Sequence, residues 1–459
     1  MIHDDEAQSQ TPLAKAGPPA LLGSTFSSLS QPDFAWFFAS SFFFYMAMQM
    51  QLILFGFLTF DLTASAKALG LVFSAFALPT LFAAPVSGVI ADRVNKKAIM
   101  ALSQTGSFLA CALLAFLILT DAVVLWHLVA LSLVLGVLLA LGMPTRLAMV
   151  PQLVPRHRLM NAVSLQMAAL NLSRILAPAL GGLLVAPLGV GWVFAVIASL
   201  YFLATVPQVK LPKHGMVGHE AQQSFASDIR EGFGYVFRNE TVRLLILASI
   251  LIPLLSFPVA MMLPIFAREV FDGGAAGLGF LAASSGVGGL IGAMISANMD
   301  RVAHKGRLLM GGGASAAMFY AAFALSPVFE LALLLLALAS VGQMVFLTTI
   351  NTVIQATVPA ELRGRVVSLV PLALGLTPLS LLPTTVAADA IGAPLTVAIA
   401  SLLMLGILVA MFWLSPRLRN LRLDALTRAD LSPAQAAALV AEGKITQAEA
   451  DRLVGSPSS

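Results

Sequence analysis

Met143-Pro-Thr-Arg-Leu-Ala-Met-Val-Pro-Gln-Leu-Val-Pro155 and Phe346-Leu-Thr-Thr-Ile-Asn-Thr-Val-Ile-Gln-Ala-Thr-Val-Pro359 resemble one another across the two halves of a 459-residue chain. Val154-Pro155 and Val358-Pro359 stand at the same offset from Ser164 and Ser368. Outward from these anchors, the sequence breaks into apolar runs of the length that crosses a bilayer, about 20 residues. The first half holds six, at 34–56, 68–91, 98–120, 123–146, 161–188 and 191–207. The second holds six more, at 244–266, 276–297, 308–325, 331–358, 366–388 and 393–414. Each of the two similar stretches falls between the fourth and fifth runs of its half. The fifth and tenth runs are long enough to require tilt or protrusion beyond the lipid. The expected fold is therefore all-α and polytopic, with twelve transmembrane helices in two pseudo-symmetric six-helix bundles. Duplicated halves of this kind are the signature of a transporter whose substrate site lies between them near the midplane.

Composition agrees. Charged residues make up 10% of the chain, against roughly a quarter in an average soluble protein, while apolar types make up 59% and mean hydropathy is +0.91. Too few polar side chains exist to cover a water-soluble globule, and too many apolar ones for a disordered chain. The short alternating segments of a β-barrel are absent. A single cysteine, Cys111, excludes a disulfide framework and a cysteine-based metal site, and the six histidines show no close HxxxH pairing. Without a P-loop, a nucleophile elbow or a dinucleotide fingerprint, neither catalysis nor a bound cofactor is expected, and a proton gradient is the candidate energy source. The expected partners are a small-molecule substrate and the lipid bilayer, with no nucleic acid.

Basic residues fix the expected orientation. Of 26 Lys and Arg, sixteen fall at alternate junctions (Arg93, Lys96, Lys97, Arg146, Arg156 and Arg158 among them) and only Lys67 and Arg268 at the opposite set. The positive-inside rule then puts both termini in the cytoplasm of a cell whose inner (plasma) membrane holds the protein. Residues 1–33 read as a flexible tail, without the basic flank and short apolar core of a signal peptide. The bundles span 34–207 and 244–414. The linker, 208–243, contains an amphipathic helix with Phe225, Ile229, Phe233 and Phe237 on one stripe. In the tail, 415–459, two capping-box patterns, from Ser432 and from Thr446, predict a short helical hairpin whose partner the sequence does not name. A monomer is expected.

Between the second and third runs lies Gly88-Val-Ile-Ala-Asp92-Arg93-Val-Asn95-Lys96-Lys97. It closely resembles the G-x-x-x-D-R-x-G-R/K-R/K loop of the major facilitator superfamily, and the resemblance covers roughly 34–414. The counterpart in the second half, near Asp300 and Arg301, is degenerate. Pro144-Thr-Arg146, Leu153-Val-Pro-Arg156 and Ala177-Pro178-Ala-Leu-Gly181-Gly182 look most like the efflux branch of enterobactin exporters and multidrug proton antiporters. Ala177 departs from the glycine usual before that proline. Asn95 replaces the loop glycine, and asparagine also tolerates left-handed geometry. The resemblance implies a cytoplasmic gate. Gly88 admits a neighbouring helix, Asp92 faces the positive end of the eleventh span, and Arg93, Lys96 and Lys97 bridge to Glu361 or anionic lipid. Arg146, Arg363 and Arg365 complete the gate as partners. A loop that merely sets topology is the alternative, although it would need neither Gly88 nor Asp92, and the collar arginines also suit solvated loops and lipid contact.

Arg174 falls near mid-membrane, where a guanidinium is costly unless it faces a cavity or finds partners. Helical spacing puts Met167, Asn171, Arg174, Pro178 and Gly181 on one face. Two readings share that face. In one, Arg174 lines a central cavity and binds an anionic or strongly polar group. In the other, it caps carbonyls freed by Pro178 while Gly181 and Gly182 pack against a neighbour. Further cavity candidates are Tyr45, Gln49, Gln166, Gln343, Thr348 and Asn351, although buried amides also serve as glue between helices. No Asp or Glu lies in the middle of any span, and none occurs from Ala122 through His219. Candidate proton carriers are thus confined to span ends, at Asp61, His127 and Asp389, which weakens proton coupling. The expected function is secondary transport, with export of a small amphipathic drug, siderophore or metabolite by alternating access. An importer, a lipid-type flippase or a non-transporting sensor or scaffold are the alternatives.

Overall fold

A computed structural model describes residues 26–93, 95–211, 234–299, 302, 304–359, 362, 366 and 377–419, with side chains omitted at 80–93, 377–379 and 417. Among the described residues, twelve long helices follow in order. In the first half, α1 is Pro32–Thr63, α2 Ala66–Arg93, α3 Lys96–Leu119, α4 Leu125–Leu153, α5 Leu159–Leu188 and α6 Val190–Val209. In the second, α7 is Glu240–Ile265, α8 Gly274–Asn298, α9 Lys305–Ala324, α10 Phe329–Thr357, α11 Thr377–Ile391 and α12 Ala393–Leu414. Among the described residues, nine helices are long and apolar enough to cross a membrane, and α2 and α11 contribute shorter apolar stretches. Their outward faces carry large apolar side chains such as Leu102, Phe116, Trp192, Met318 and Leu402, as suits a hydrocarbon solvent.

Local chemistry sets where the helices start and stop. Asn95 accepts from the Lys97 amide (2.9 Å) and Asn239 from the Val242 amide (3.1 Å), capping α3 and α7. Gly189 and Gly392, at φ +79° and +85°, turn α5 into α6 and α11 into α12. These are the same place in each half, and a side chain would be strained at both. α1 runs seven residues past its expected end at 56. Thr59 and Thr63 turn their hydroxyls back onto the Phe55 and Thr59 carbonyls, and Ala64, at φ +46°, stops the helix.

The pairing of helices is duplicated. In the first half α1 packs on α5 and α6, α3 on α4 and α6, and α2 on α4. In the second, α7 packs on α11 and α12, α9 on α10 and α12, and α8 on α10. Adding six to each helix number converts one set into the other. Two principal seams join the halves, α5 on α8 and α2 on α11, and they too exchange under the same operation. The sequence-predicted two-bundle fold is the fold observed.

One boundary needs correction. The fourth span was expected to end at Arg146, but α4 continues through Pro151 to Leu153. Arg146 therefore lies two turns inside the bundle and is 2% exposed, not at a cytoplasmic junction. Of the expected linker helix, only 234–238 is described, and it is helical. The tail hairpin and residues 1–25 lie outside the described residues.

Candidate functional site

A cavity of about 290 Å³ lies between the halves, walled by α1 and α5 on one side and by α7, α8 and α10 on the other. Gln49, Asn171, Arg174, Pro178 and Gln343, all expected to face a central cavity or the helix break beside it, line it. Arg174 stands at the centre of the 30-residue α5, and its side chain is exposed to this space. Among the described residues no hydrogen-bond or ion-pair partner reaches Arg174, Gln49 or Asn171. Gln343 differs. Its amide donates to Ser256 Oγ (2.6 Å) and accepts from Tyr320 Oη (2.8 Å), tying α10 to α7 and α9. Ser285 and Ser340, which the sequence reading missed, meet across α8 and α10 at 2.8 Å. The second half thus presents satisfied polar groups and apolar surface (Met261, Ala282, Leu290, Met344, Leu347), whereas the first presents unpaired donors.

Other cavity candidates stand elsewhere. Tyr45 is 1% exposed and packs edge-on against Phe44, 5.9 Å between ring centres. Gln166 is buried away from the cavity lining, and neither atom of its amide has a partner among the described residues. Met167, Thr348 and Asn351 do not line the cavity. Asn351, half-buried, instead turns its amide onto the Leu347 carbonyl of its own helix (2.8 Å).

Arg146, expected as a gate partner, fills the interior of the first bundle. Its Nη1 donates to Ser41 Oγ (2.7 Å), and its guanidinium carbon lies 4.3 Å over the Phe44 ring and 5.8 Å from those of Phe37 and Tyr45. Gln104, with its amide turned to suit its neighbours, accepts from Arg146 Nη2 (2.6 Å) and Ser40 Oγ (3.0 Å) and donates to the Ala204 carbonyl (3.3 Å) and to Gln208. Ring faces and neutral acceptors carry the buried charge in place of a carboxylate.

Of the gate motif, Gly88, Asp92 and Arg93 lie on α2, and Glu361, Arg363 and Arg365 beyond α10, outside the described side chains. Lys96 opens α3 half-buried. Lys97 is tied within its own half in this structure. Its ammonium donates to the Val209 (2.8 Å) and Leu211 (2.5 Å) carbonyls, at the end of α6 in its own half. The unpaired carbonyls and negative dipole end of α6 draw it there.

At the opposite end of the molecule two carboxylates cross between the halves. Asp61, ending α1, pairs with Arg268 in the turn after α7 (2.5 Å). Asp389, near the end of α11, accepts from the Ala66 amide (2.7 Å) and Ser65 Oγ (3.2 Å), and its Oδ2 lies 3.7 Å from Lys67 Nζ. A carboxylate from one half thus caps a helix of the other. Gly182 continues the closure, since a methyl group there would stand 2.9 Å from Gly279 Cα and collide with the Ala275 carbonyl. Gly181 faces Met50 of α1. His127 is spent locally, its Nδ1 accepting from the Val124 amide (3.3 Å) at the exposed start of α4.

Residues 23–444 match the model of a family described as transmembrane secretion effector. The chain is 28% identical over 319 residues to an uncharacterised major-facilitator-type transporter, YfiS, of Bacillus subtilis, covering 67% of this chain and 74% of that one. It is 28% identical over 281 residues to the enterobactin exporter EntS of Escherichia coli O81, covering 61% and 67%. Among solved structures, a bacterial homologue of the lysosomal transporter Spinster superposes with a TM-score of 0.64 at 15% identity, over 88% of this chain and 98% of the other. The nucleoside transporter NupG gives 0.65 at 15% identity, over 83% and 98%. These two establish the fold alone. The chain is a multi-pass membrane transporter that belongs to the transmembrane secretion effector family of the major facilitator superfamily.

Proposed function

We propose that this transporter exports a small amphipathic molecule across the inner membrane of a bacterium by alternating access, with both termini in the cytoplasm. The observation that carries the reading is the cavity itself: one wall carries donors without a partner among the described residues (Gln49, Asn171, Arg174) and faces a wall from the other half whose polar groups are paired among themselves and whose remaining surface is apolar. A site shared between halves is exposed to one side or the other as the halves rock. With the basic end inside, the Asp61–Arg268 and Asp389–Ser65 contacts close the outer end. The state described is then one that loads from the cytoplasm. Similarity to the enterobactin exporter supports the outward direction.

The test is direction of flux. Cells that overproduce the chain should accumulate less of an amphipathic dye panel than cells carrying Gly182→Leu, whose α5–α8 seam cannot close. Everted vesicles should accumulate more. Greater uptake in whole cells would reverse the direction, and equal accumulation in both cell types would remove transport of these compounds.

A further inference from the structure

Arg174 is the only charged side chain among the described residues lining the cavity, and no described residue pairs with it. The sequence closes the remaining routes to compensation. No Asp or Glu occurs from Ala122 through His219, and the stretches 80–91 and 366–388 contain neither. A guanidinium that faces a mid-membrane cavity is tolerated there by water, and without a protein partner it offers its charge and its donor fork to an anion that enters. We propose that the cavity takes a small monoanion, with Arg174 as its counter-ion, and that the membrane potential drives its export without an accompanying proton.

The inference rests on the export reading above and follows from counting charge through one cycle. Loaded, the site is neutral, so the halves rock without moving charge through the field. Empty, it holds one positive charge, which the inside-negative potential draws back toward the cytoplasmic side. One negative charge therefore leaves the cell per turnover, and no titrating carboxylate is required. Asp61 and Asp389 are held in contacts at the outer end, away from the lining. One elementary charge corresponds to about a 50-fold accumulation ratio per 100 mV. At about 290 Å³ the cavity is at the small end of ligand sites, about 300–1,000 Å³. It suits two or three fused or linked rings with one acidic group. The anion sits at the α5 wall beside Asn171 and Gln49, and the rings lie against Met261, Met344 and Leu347.

The probes are 8-anilinonaphthalene-1-sulfonate, whose sulfonate stays ionised across the working pH range, and N-phenyl-1-naphthylamine, the same ring system without it. The full-length protein is reconstituted in liposomes on a solid support, with protein-free liposomes as the blank. A jump in the sulfonate should give a current, and valinomycin-set potassium gradients should drive its accumulation toward a ratio of about 50-fold per 100 mV. A pH gradient alone should not. The neutral dye should give no current. Arg174→Gln should abolish the sulfonate current, whereas Arg174→Lys should retain it at higher half-saturating dye. Sulfonate flux that follows the pH gradient, or that is electroneutral, overturns the inference and leaves export standing. So does equal transport of both dyes. If wild-type protein neither binds nor moves either dye, the cavity assignment falls and the inference with it. Should Arg174→Gln fail to insert, the contrast between the two dyes on the wild type still decides.

Discussion

Arg146 and Arg174 are two guanidiniums inside the membrane that solve opposite problems. Arg146 is enclosed by Phe44, Ser41 and Gln104, so each of its terminal nitrogens meets an acceptor and its plane meets a ring face, while its Nε has no partner among the described residues. A lysine there keeps the charge but reaches only one acceptor. Arg146→Lys should therefore be less stable than Arg146→Met by about 1–3 kcal/mol, since an unsatisfied buried charge costs more than an apolar replacement. Thermal unfolding in detergent measures it, and equal midpoints would contradict the matched-fork account. Arg174 has no hydrogen-bond or ion-pair partner among the described residues and faces the cavity. Arg174→Ala should leave the unfolding midpoint unchanged or raise it, while flux of an anionic probe falls at least 10-fold. A large loss of stability in that variant would return Arg174 to a structural role. In the sequence the two looked different for the wrong reason. Arg174 stood out inside an apolar run, whereas Arg146 followed Pro144 and seemed to end one. Proline removes one backbone donor, yet in a membrane helix neighbouring groups accommodate it, and α4 passes through both Pro144 and Pro151.

At the scale of elements, glycines set how near α5 and α8 approach. Gly182 meets the Ala275 carbonyl and Gly279 Cα, and Gly279 in turn meets the Pro178 carbonyl at 2.8 Å from where a methyl would sit. Backbone is against backbone, so a side chain cannot be absorbed by a rotamer change. Gly182→Ala should destabilise the closed seam by about 1–3 kcal/mol. Gly311→Ala, with nothing within 4 Å, should be neutral or gain up to about 1 kcal/mol from helix propensity. Thermal unfolding of the two variants tests this, and equal effects would mean that the seam is looser than its geometry. Helix existence was legible because hydropathy accumulates over some twenty residues, and α12 has the expected bounds. Cavity membership was legible along α5, where period 3.6 places Asn171, Arg174 and Pro178 together, and at the lone amides Gln49 of α1 and Gln343 of α10. Met167 shares that stripe but lies beyond the lining, and Gln166, one position away, turns into the bundle. Such outcomes depend on which helix of the other half stands opposite, and no local pattern encodes that pairing.

For the whole molecule, the duplicated pairing means that closure at one end is distributed over two equivalent seams on either side of the cavity. The α2–α11 seam is held at its outer end by Asp389 on Ser65 and the Ala66 amide, and below that by Gly70 against Thr385. The α5–α8 seam has glycine contacts instead, and Asp61–Arg268 spans α1 and α7 between the two. An exporter must open all three together, because each helix of a bundle moves with its neighbours. Locking one should therefore stop the cycle. Ser65 Oγ and Asp389 Oδ2 lie 3.2 Å apart; a cysteine at 389 ends one bond short of Oδ2, so a disulfide between positions 65 and 389 forms after the helix ends shift by about 1–2 Å. The native Cys111 is fully buried and is replaced by serine in the background as a control. Ser65→Cys/Asp389→Cys protein should cross-link under mild oxidation and lose at least 90% of its flux, and a reductant should restore it. Each single cysteine variant should keep its flux under the same oxidant. Sustained flux through the cross-linked protein would mean that the outer ends of α2 and α11 never separate, and the cavity would then have to empty by a route that does not pass between the halves.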